Sequence, residues 1–130
     1  LEQSNDESEH IRVWAIKLLT DGGQVSVKVL SRFVEMAGTD MAGLVQLNLA
    51  STLRLLPLAS RWALATPLVS HKRYSADPVL PLMIWYGINP AVGEDRARAV
   101  ELLAKCQIPK IRQFIARRLA GDPSETKGQD

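Results

Sequence analysis

The residue types that could carry catalysis or metal binding are scarce in this chain of 130 residues, and they lack the neighbours that such chemistry requires. The single cysteine, Cys106, is followed by Gln107-Ile108-Pro109, whereas a covalently attached c-type haem needs the sequence Cys-x-x-Cys-His. A cysteine nucleophile also needs a histidine base, and both histidines, His10 and His71, are distant from Cys106 in sequence. We therefore interpret Cys106 as a small buried side chain and expect no catalytic residue.

The two histidines give no indication of a metal site. His10 and His71 each stand alone, without the partner four residues away that helical zinc ligation uses. We expect both side chains to be exposed to solvent, and we expect neither a metal nor another cofactor in this chain.

A basic run near the end of the chain is the candidate binding surface. Residues 102–121 carry five cations and no acid, whereas residues 1–9 carry four acids and no cation. Because the net charge is only +2, we interpret the run as a solvated face or a contact to another domain. The alternative is nucleic-acid binding, which a contiguous positive groove would support. The candidate binding residues are Lys110, Arg112, Arg117 and Arg118.

Length and composition indicate one globular domain with a single core. Hydrophobic residues make up 46% of the chain and charged residues 23%, which is ordinary globular composition. Residues 80–88 form the most apolar run, with no charge. A membrane-spanning helix needs about 20 apolar residues, so we expect no transmembrane segment. The run instead predicts a buried central helix.

Apolar residues recur at helical spacing on both sides of the central run, which predicts seven helices. We expect Asp6 to start the first helix and Gly38 to end the second. Asp40 opens the third helix in this interpretation, and Pro67 kinks or breaks the fourth. Pro109 is the predicted first residue of the seventh. The stripes predicted to face the core are Ile11, Trp14, Ala15, Leu18 and Leu19; Val27, Leu30, Phe33, Val34 and Ala37; Val45, Leu49, Thr52, Leu53 and Leu56; Leu58, Trp62, Ala65 and Val69; Ala97, Val100, Leu103 and Ala104; and Ile111, Phe114, Ile115 and Leu119.

The aromatic residues other than phenylalanine are interpreted as packing groups. Trp14, Trp62 and Trp85 are expected to fill the seams between helices, where a large ring buries much area. Gly87 follows Tyr86, and we interpret this glycine as a point where another helix comes close.

Three of the predicted helices align as a weak internal repeat. The alignment superimposes Arg12, Gln46 and Arg112, with 34 residues between the first two and 66 between the last two. An acid lies six residues before both Arg12 and Gln46. This pattern resembles the second helix of HEAT repeats, in which each helix pair has an apolar face that a neighbouring pair must cover. The resemblance implies a structural role for the arginine, and it predicts an all-α, right-handed HEAT-like α-solenoid of about seven helices.

A more specific resemblance lies in residues 58–65, 80–90 and 108–119. These segments are similar to the HEAT-like region of large bacterial PVC-type haem-binding or membrane-bound dehydrogenase proteins. Members of that family join a β-propeller, a HEAT-like region and a c-type cytochrome domain. The resemblance covers about residues 6–120 and departs from the family at Pro67 and in residues 70–79. It implies that the chain, which starts at Leu1, is a piece of a longer exported or periplasmic protein.

The predicted organisation follows from these patterns. We expect residues 1–5 to be frayed, residues 6–121 to form the HEAT-like repeat domain, and residues 122–130 to be a disordered tail. The predicted function is that of a non-catalytic scaffold or protein-interaction module that binds flanking domains or another protein and no small-molecule substrate. Because a solenoid segment exposes its end faces, we also expect self-association through the first or last helix.

Overall fold

The chain folds as an all-α protein, as predicted. The computed structural model describes residues 2–121, with side chains from Ser8 onward, and within that range it contains seven α-helices, one short 3-10 helix and no strand. The predicted tail, residues 122–130, lies outside the described residues. The helices are α1 (Glu2–Leu19), α2 (Val27–Thr39), α3 (Gly43–Ser51), the 3-10 helix (Thr52–Leu55), α4 (Leu58–Val69), α5 (Leu80–Glu94), α6 (Arg96–Lys105) and α7 (Pro109–Gly121).

The starts and ends of the first three helices differ from the predicted ones. Helix α1 begins at Glu2, so Asp6 lies within it rather than at its start. Helix α2 is capped by Ser26, whose side chain accepts a hydrogen bond from the Val29 N–H, as favoured N-cap residues do. Asp40 is the C-cap of α2 and does not open α3. Its carboxylate accepts from the Ala42 N–H at 3.0 Å, and this turn holds the link between α2 and α3.

Two prolines lie inside helices without ending them. Helix α4 continues through Pro67 to Val69, so Pro67 does not break it, although the proline removes the hydrogen bond that a backbone N–H at this position would donate to the Ala63 carbonyl. Helix α5 contains Pro90 and continues to Glu94, beyond the apolar run of residues 80–88. Ala91 and Val92 in this extension are fully buried, so packing holds the last turn in helical form.

The apolar run at residues 80–88 lies in the centre of the molecule, as predicted. Ile84 and Ile88 of α5 are fully buried, and α5 packs against α3, α4, α6 and α7. A Cβ atom built on Gly87 would lie 2.7 Å from the Cβ of Leu53, which is closer than side chains tolerate. This close approach of α5 to the 3-10 helix confirms Gly87 as a packing glycine. None of the described helices is both long and apolar enough to cross a membrane.

Helices that are two apart in the chain make many of the main contacts. Helix α1 packs on α3, α2 on α4, α3 on α5, and α5 on α7. Helix α4 also contacts both α5 and α6. The odd-numbered helices thus pack on one another in order, and the even-numbered helices do the same beside them.

The predicted core stripes are confirmed for the third, fourth and seventh helices but wrong for α1 and α6. In α1 the buried residues are Val13 and Ile16, whereas Ile11, Trp14 and Leu18 are 67%, 65% and 60% exposed. Helix α1 has apolar residues on two sides, and its contact with α3 covers only one of them. The α6 stripe is wrong for the same reason. Its buried residues are Ala99 and Leu102, and Val100 is exposed.

The three tryptophans therefore differ in their surroundings. Trp62 is buried, as predicted. Trp85 packs against the core and stacks on Phe114 of α7, with ring centroids 5.3 Å apart and an angle of 29° between the planes. Trp14 is exposed, and its assignment to the core was wrong.

Candidate functional site

The four basic residues predicted as a binding surface lie on α7, but their side chains divide into two pairs. Lys110 and Arg117 are exposed, and neither has a hydrogen bond or ion pair to the part of the chain that the structure describes. Arg112 and Arg118 both donate hydrogen bonds to neighbouring helices. Of these four predicted residues, only Lys110 and Arg117 are exposed without a partner among the described residues.

Arg112 binds the end of the preceding helix. Its Nη1 donates to the backbone oxygens of Leu103 and Cys106 at 2.7 and 3.1 Å. These carbonyls belong to the last turn and the C-cap of α6, where backbone oxygens lack helical partners and the helix dipole favours a cation. Arg112 thus has the structural role that the resemblance to HEAT repeats implied.

Arg118 joins α7 to α5. Its Nη1 donates to the side-chain oxygen of Asn89, and its other terminal nitrogen lies over Gly93, where a Cβ atom would come within 2.5 Å of it. Arg96 joins α6 to the same helix, because it donates a hydrogen bond to the Leu119 carbonyl of α7 at 2.6 Å. Asn89 and Gly93 were not predicted as partners, because a contact over 29 residues of sequence depends on how the helices pack.

Gln46 repeats the contact of Arg112 at the junction of α2 and α3. Its Nε2 donates to the backbone oxygens of Ala37 and Asp40, which are nine and six residues earlier in the chain. The two oxygens that Arg112 binds are also nine and six residues earlier. The two C-caps match as well: the φ and ψ angles are −77° and 125° at Asp40 and −72° and 127° at Cys106.

The third aligned position, Arg12, binds the same junction from α1. Its Nε and Nη2 donate to the two carboxylate oxygens of Asp40 at 2.5 and 3.0 Å, a bidentate ion pair between α1 and the end of α2. Ser8, one turn earlier in α1, accepts from the Arg12 Nη1 at 2.8 Å. All three aligned residues therefore contact helix ends.

Cys106 is buried, as predicted. It is 2% exposed, and its Sγ donates to the Ile108 carbonyl at 3.4 Å. Burial raises the pKa of the thiol, which keeps Cys106 protonated and poorly reactive at neutral pH.

His71 differs from the exposed side chain that we expected. His10 is exposed, but both ring nitrogens of His71 are shielded from solvent and form no hydrogen bond of normal geometry within the described residues. Burial, with a smaller contribution from the charge of Arg73, lowers the pKa of His71, although the nearby Ala37 backbone acts in the opposite direction. Residues 8–121 contain no group of three or more histidine, cysteine or carboxylate side chains that could hold a metal ion.

The α1–α2 groove is a surface that sequence reasoning missed. It has a volume of about 370 Å³, with Ile16 and Phe33 among its apolar lining and Lys28 and Arg32 among its cations. A lysine and an arginine on a helix are typical of any solvated face, so the sequence contains no signal that they border a groove. The lining residues are Arg12, Ala15, Ile16, Leu19, Lys28, Val29, Arg32, Phe33 and Met36.

Three further surface cavities border α4. Two of them, of about 180 and 200 Å³, share Trp62 and Arg98, and the third, of about 500 Å³, is more open and includes His71. The exposed side of α4 between them carries the small residues Ala59, Ala63 and Ser70.

Comparisons with protein-family models, with curated proteins and with solved structures find no match for this chain. The assignment of a function therefore depends on the geometry described above.

Proposed function

We propose that the chain is a HEAT-like α-solenoid segment that binds or orients other protein domains and has no catalytic role of its own. The observation that carries the proposal is the repeated junction, in which Gln46 and Arg112 each donate to carbonyls nine and six residues earlier. The two junctions are 66 residues apart, which is close to two repeats of the length common in helical-repeat proteins. A chance collection of helices has no reason to form the same link twice.

The order of helix packing also supports a solenoid. In such proteins each helix pair contacts mainly its neighbours, so helices two apart in the chain stack on one another. The α1–α3, α3–α5 and α5–α7 contacts follow that order, and so do the α2–α4 and α4–α6 contacts. Cys106, the one cysteine, is buried at a helix junction, which favours a packing role over a catalytic one.

The resemblance to PVC-type haem-binding or membrane-bound dehydrogenase proteins extends this proposal. On that basis the chain would join a β-propeller to a c-type cytochrome domain within an exported protein, and any haem would belong to the other domain. Sequencing the gene around this region tests the idea. A Cys-x-x-Cys-His motif downstream supports it, and a full-length gene product without such a motif or a propeller contradicts it.

Native-state hydrogen exchange tests the solenoid itself. Val13 is a buried residue of α1, and Val13→Ala removes core contacts at that helix. In a solenoid the loss of protection stays close to α1 and its neighbours, because stability is a sum of nearest-neighbour terms. An equal loss of protection in α1 and α7 would indicate a closed, fully cooperative bundle and would contradict the proposal.

Nucleic-acid binding is the alternative from the sequence, and the arrangement of α7 does not favour it. Arg112 is directed to the end of α6 and Arg118 to Asn89 of α5, so a contiguous groove with Arg117 is not formed by these side chains. A gel-shift experiment at about 50 mM salt decides the matter, because phosphate contacts are strongest at low salt. A shift that disappears in the Lys110→Glu/Arg117→Glu variant would revive the nucleic-acid alternative.

A further inference from the structure

The α1–α2 groove has the form of a binding site for one more helix. Along its base, Ile16 and Phe33 are buried against the core, and Leu19, Val29 and Met36 extend the apolar surface toward solvent. The outward side of α1, outside the groove, also exposes the apolar residues Ile11, Trp14 and Leu18. An apolar area of this kind on a protein surface marks an interaction site more often than a solvated face.

The cations of the groove lie together on the α2 side. Lys28 and Arg32 are four residues apart on α2, so they lie on the same face of that helix. Neither has an ion pair or side-chain hydrogen bond to the part of the chain that the structure describes. Arg12, on the α1 side, is neutralised by Asp40. The unbalanced charge of the groove is therefore positive and confined to one edge.

We propose that this groove binds an amphipathic helix of a partner protein, apolar toward Ile16 and Phe33 and acidic along the edge that faces Lys28 and Arg32. The proposal rests on the interaction role proposed above and names the chemistry of the partner. An apolar helix face fits a groove between two helices, and acidic residues spaced along one edge complement the two cations.

A second copy of the chain is the alternative occupant of the groove. If two copies met through this face about a two-fold axis, each would bring Lys28 and Arg32 to the same interface, and α1 of each copy contains acids from residues 1–9 as well as Lys17. Sedimentation separates such a dimer from the binding of a partner helix. Nucleic acid fits less well, because phosphates gain nothing from the apolar base.

Fluorescence anisotropy with two designed peptides tests the proposal on the full chain. Both peptides are helical, about as long as the 18-residue α1, and carry leucines on one face; one has glutamates beside the leucines and the other has lysines. We expect the acidic peptide to bind on the order of tenfold more tightly than the basic one at low salt. In Lys28→Glu/Arg32→Glu the preference reverses, and in Leu19→Asp both peptides bind more weakly.

The matched control is Lys110→Glu/Arg117→Glu, which reverses two exposed cations on α7 far from the groove in sequence. Circular dichroism establishes that every variant keeps its helices. Unchanged preference in Lys28→Glu/Arg32→Glu, binding of neither peptide at millimolar concentration, or loss of binding in the α7 control would each overturn the proposal. So would a sedimentation experiment in which the chain forms a dimer that Leu19→Asp dissociates. The hydrogen-exchange experiment tests the solenoid separately from the peptide-binding experiment. A result that contradicts the groove proposal can therefore be distinguished from one that contradicts the scaffold proposal.

Discussion

Helices α1 and α7 are the first and the last in the chain, and each packs mainly on the helix two away from it. Helix α7 buries Ile111 and Ile115 and exposes polar or charged side chains such as Lys110 and Arg117. Helix α1 buries Val13 and Ile16 but leaves Ile11, Trp14 and Leu18 in contact with solvent. Terminal repeats of a solenoid need a polar outer face to remain soluble by themselves. In the solenoid proposed above, α7 meets this criterion for a cap and α1 does not.

The arginines make the same distinction. Around α7, Arg96, Arg112 and Arg118 all bind acceptors on an adjoining helix, so that the corner is closed by hydrogen bonds. Beside α1, Lys28 and Arg32 border a groove without partners in the described part of the chain. The difference shows that two cations of the C-terminal run, Arg112 and Arg118, serve to hold helices together. The smaller group of cations on α2 is the better placed to bind a partner.

The largest expected effect is a difference in the free energy of unfolding between a substitution on the buried side of α7 and one on the exposed side of α1. Ile115→Ala should lower the free energy of unfolding by about 3 kcal/mol, because Ile115 is fully buried and its loss leaves a cavity. Ile11→Ala should change it by less than about 0.5 kcal/mol, because Ile11 is mostly exposed. Urea unfolding measures both. Losses of similar size would mean that the outward side of α1 is covered, which would remove the contrast between the two helices.

A smaller difference in the free energy of unfolding is expected between substitutions at the two equivalent junctions. Gln46 is fully buried, so Gln46→Ala should cost about 1–3 kcal/mol by leaving the buried Ala37 carbonyl without the Gln46 donor, whereas the Asp40 carbonyl keeps a hydrogen bond from Arg73. Arg112→Ala should cost about 0.5–1.5 kcal/mol, because its side chain is exposed and water replaces it. Chemical denaturation of the two variants gives the comparison. A larger cost for Arg112→Ala would show that the positive charge at the α6 end matters more than burial.

The smallest effects concern two titratable groups, the partly buried His71 and the buried Cys106. The lowered pKa of His71 means that the unfolded state binds the proton more readily. His71 therefore contributes stability that is fully present above about pH 6.5 and is lost as the pH falls toward the lower native pKa. Because burial raises the pKa of Cys106, its contribution is fully present below about pH 9 and is lost as the pH rises toward the native value.

Measuring the free energy of unfolding as a function of pH checks both contributions. His71→Gln should reduce the loss of stability at acidic pH (the acidic limb of the curve), and Cys106→Ala should reduce the loss at alkaline pH (the alkaline limb). His10→Gln, a change at an exposed histidine, is the control and should leave both limbs as they are. An acidic limb that responds equally to both histidine variants would show that the burial of His71 has no energetic consequence.

Local spacing was sufficient to predict several elements. The stripe of the third helix, including Val45, Leu49 and Leu53, is buried, and so are Ile111 and Ile115 of the seventh. Helix α7 has its apolar residues on one side, so there is only one way to bury them. Helix α3 is apolar on more than one side, with Leu44 38% exposed, and its packing on α1 and α5 covers the predicted stripe. Proline was a weaker guide, because Pro67 and Pro90 both lie where their neighbours keep the helix intact.

The amino-acid sequence by itself determined that the chain is helical, that residues 80–88 lie at its centre and that Cys106 is buried. It did so because helical periodicity and a run without charge depend on residues close together in the chain. Only the tertiary structure decided which side of α1 is covered, which cations bind helix ends and where a groove opens between α1 and α2. Periodicity defines a face relative to the axis of its own helix, and the contacts of that face depend on helices that are distant in sequence.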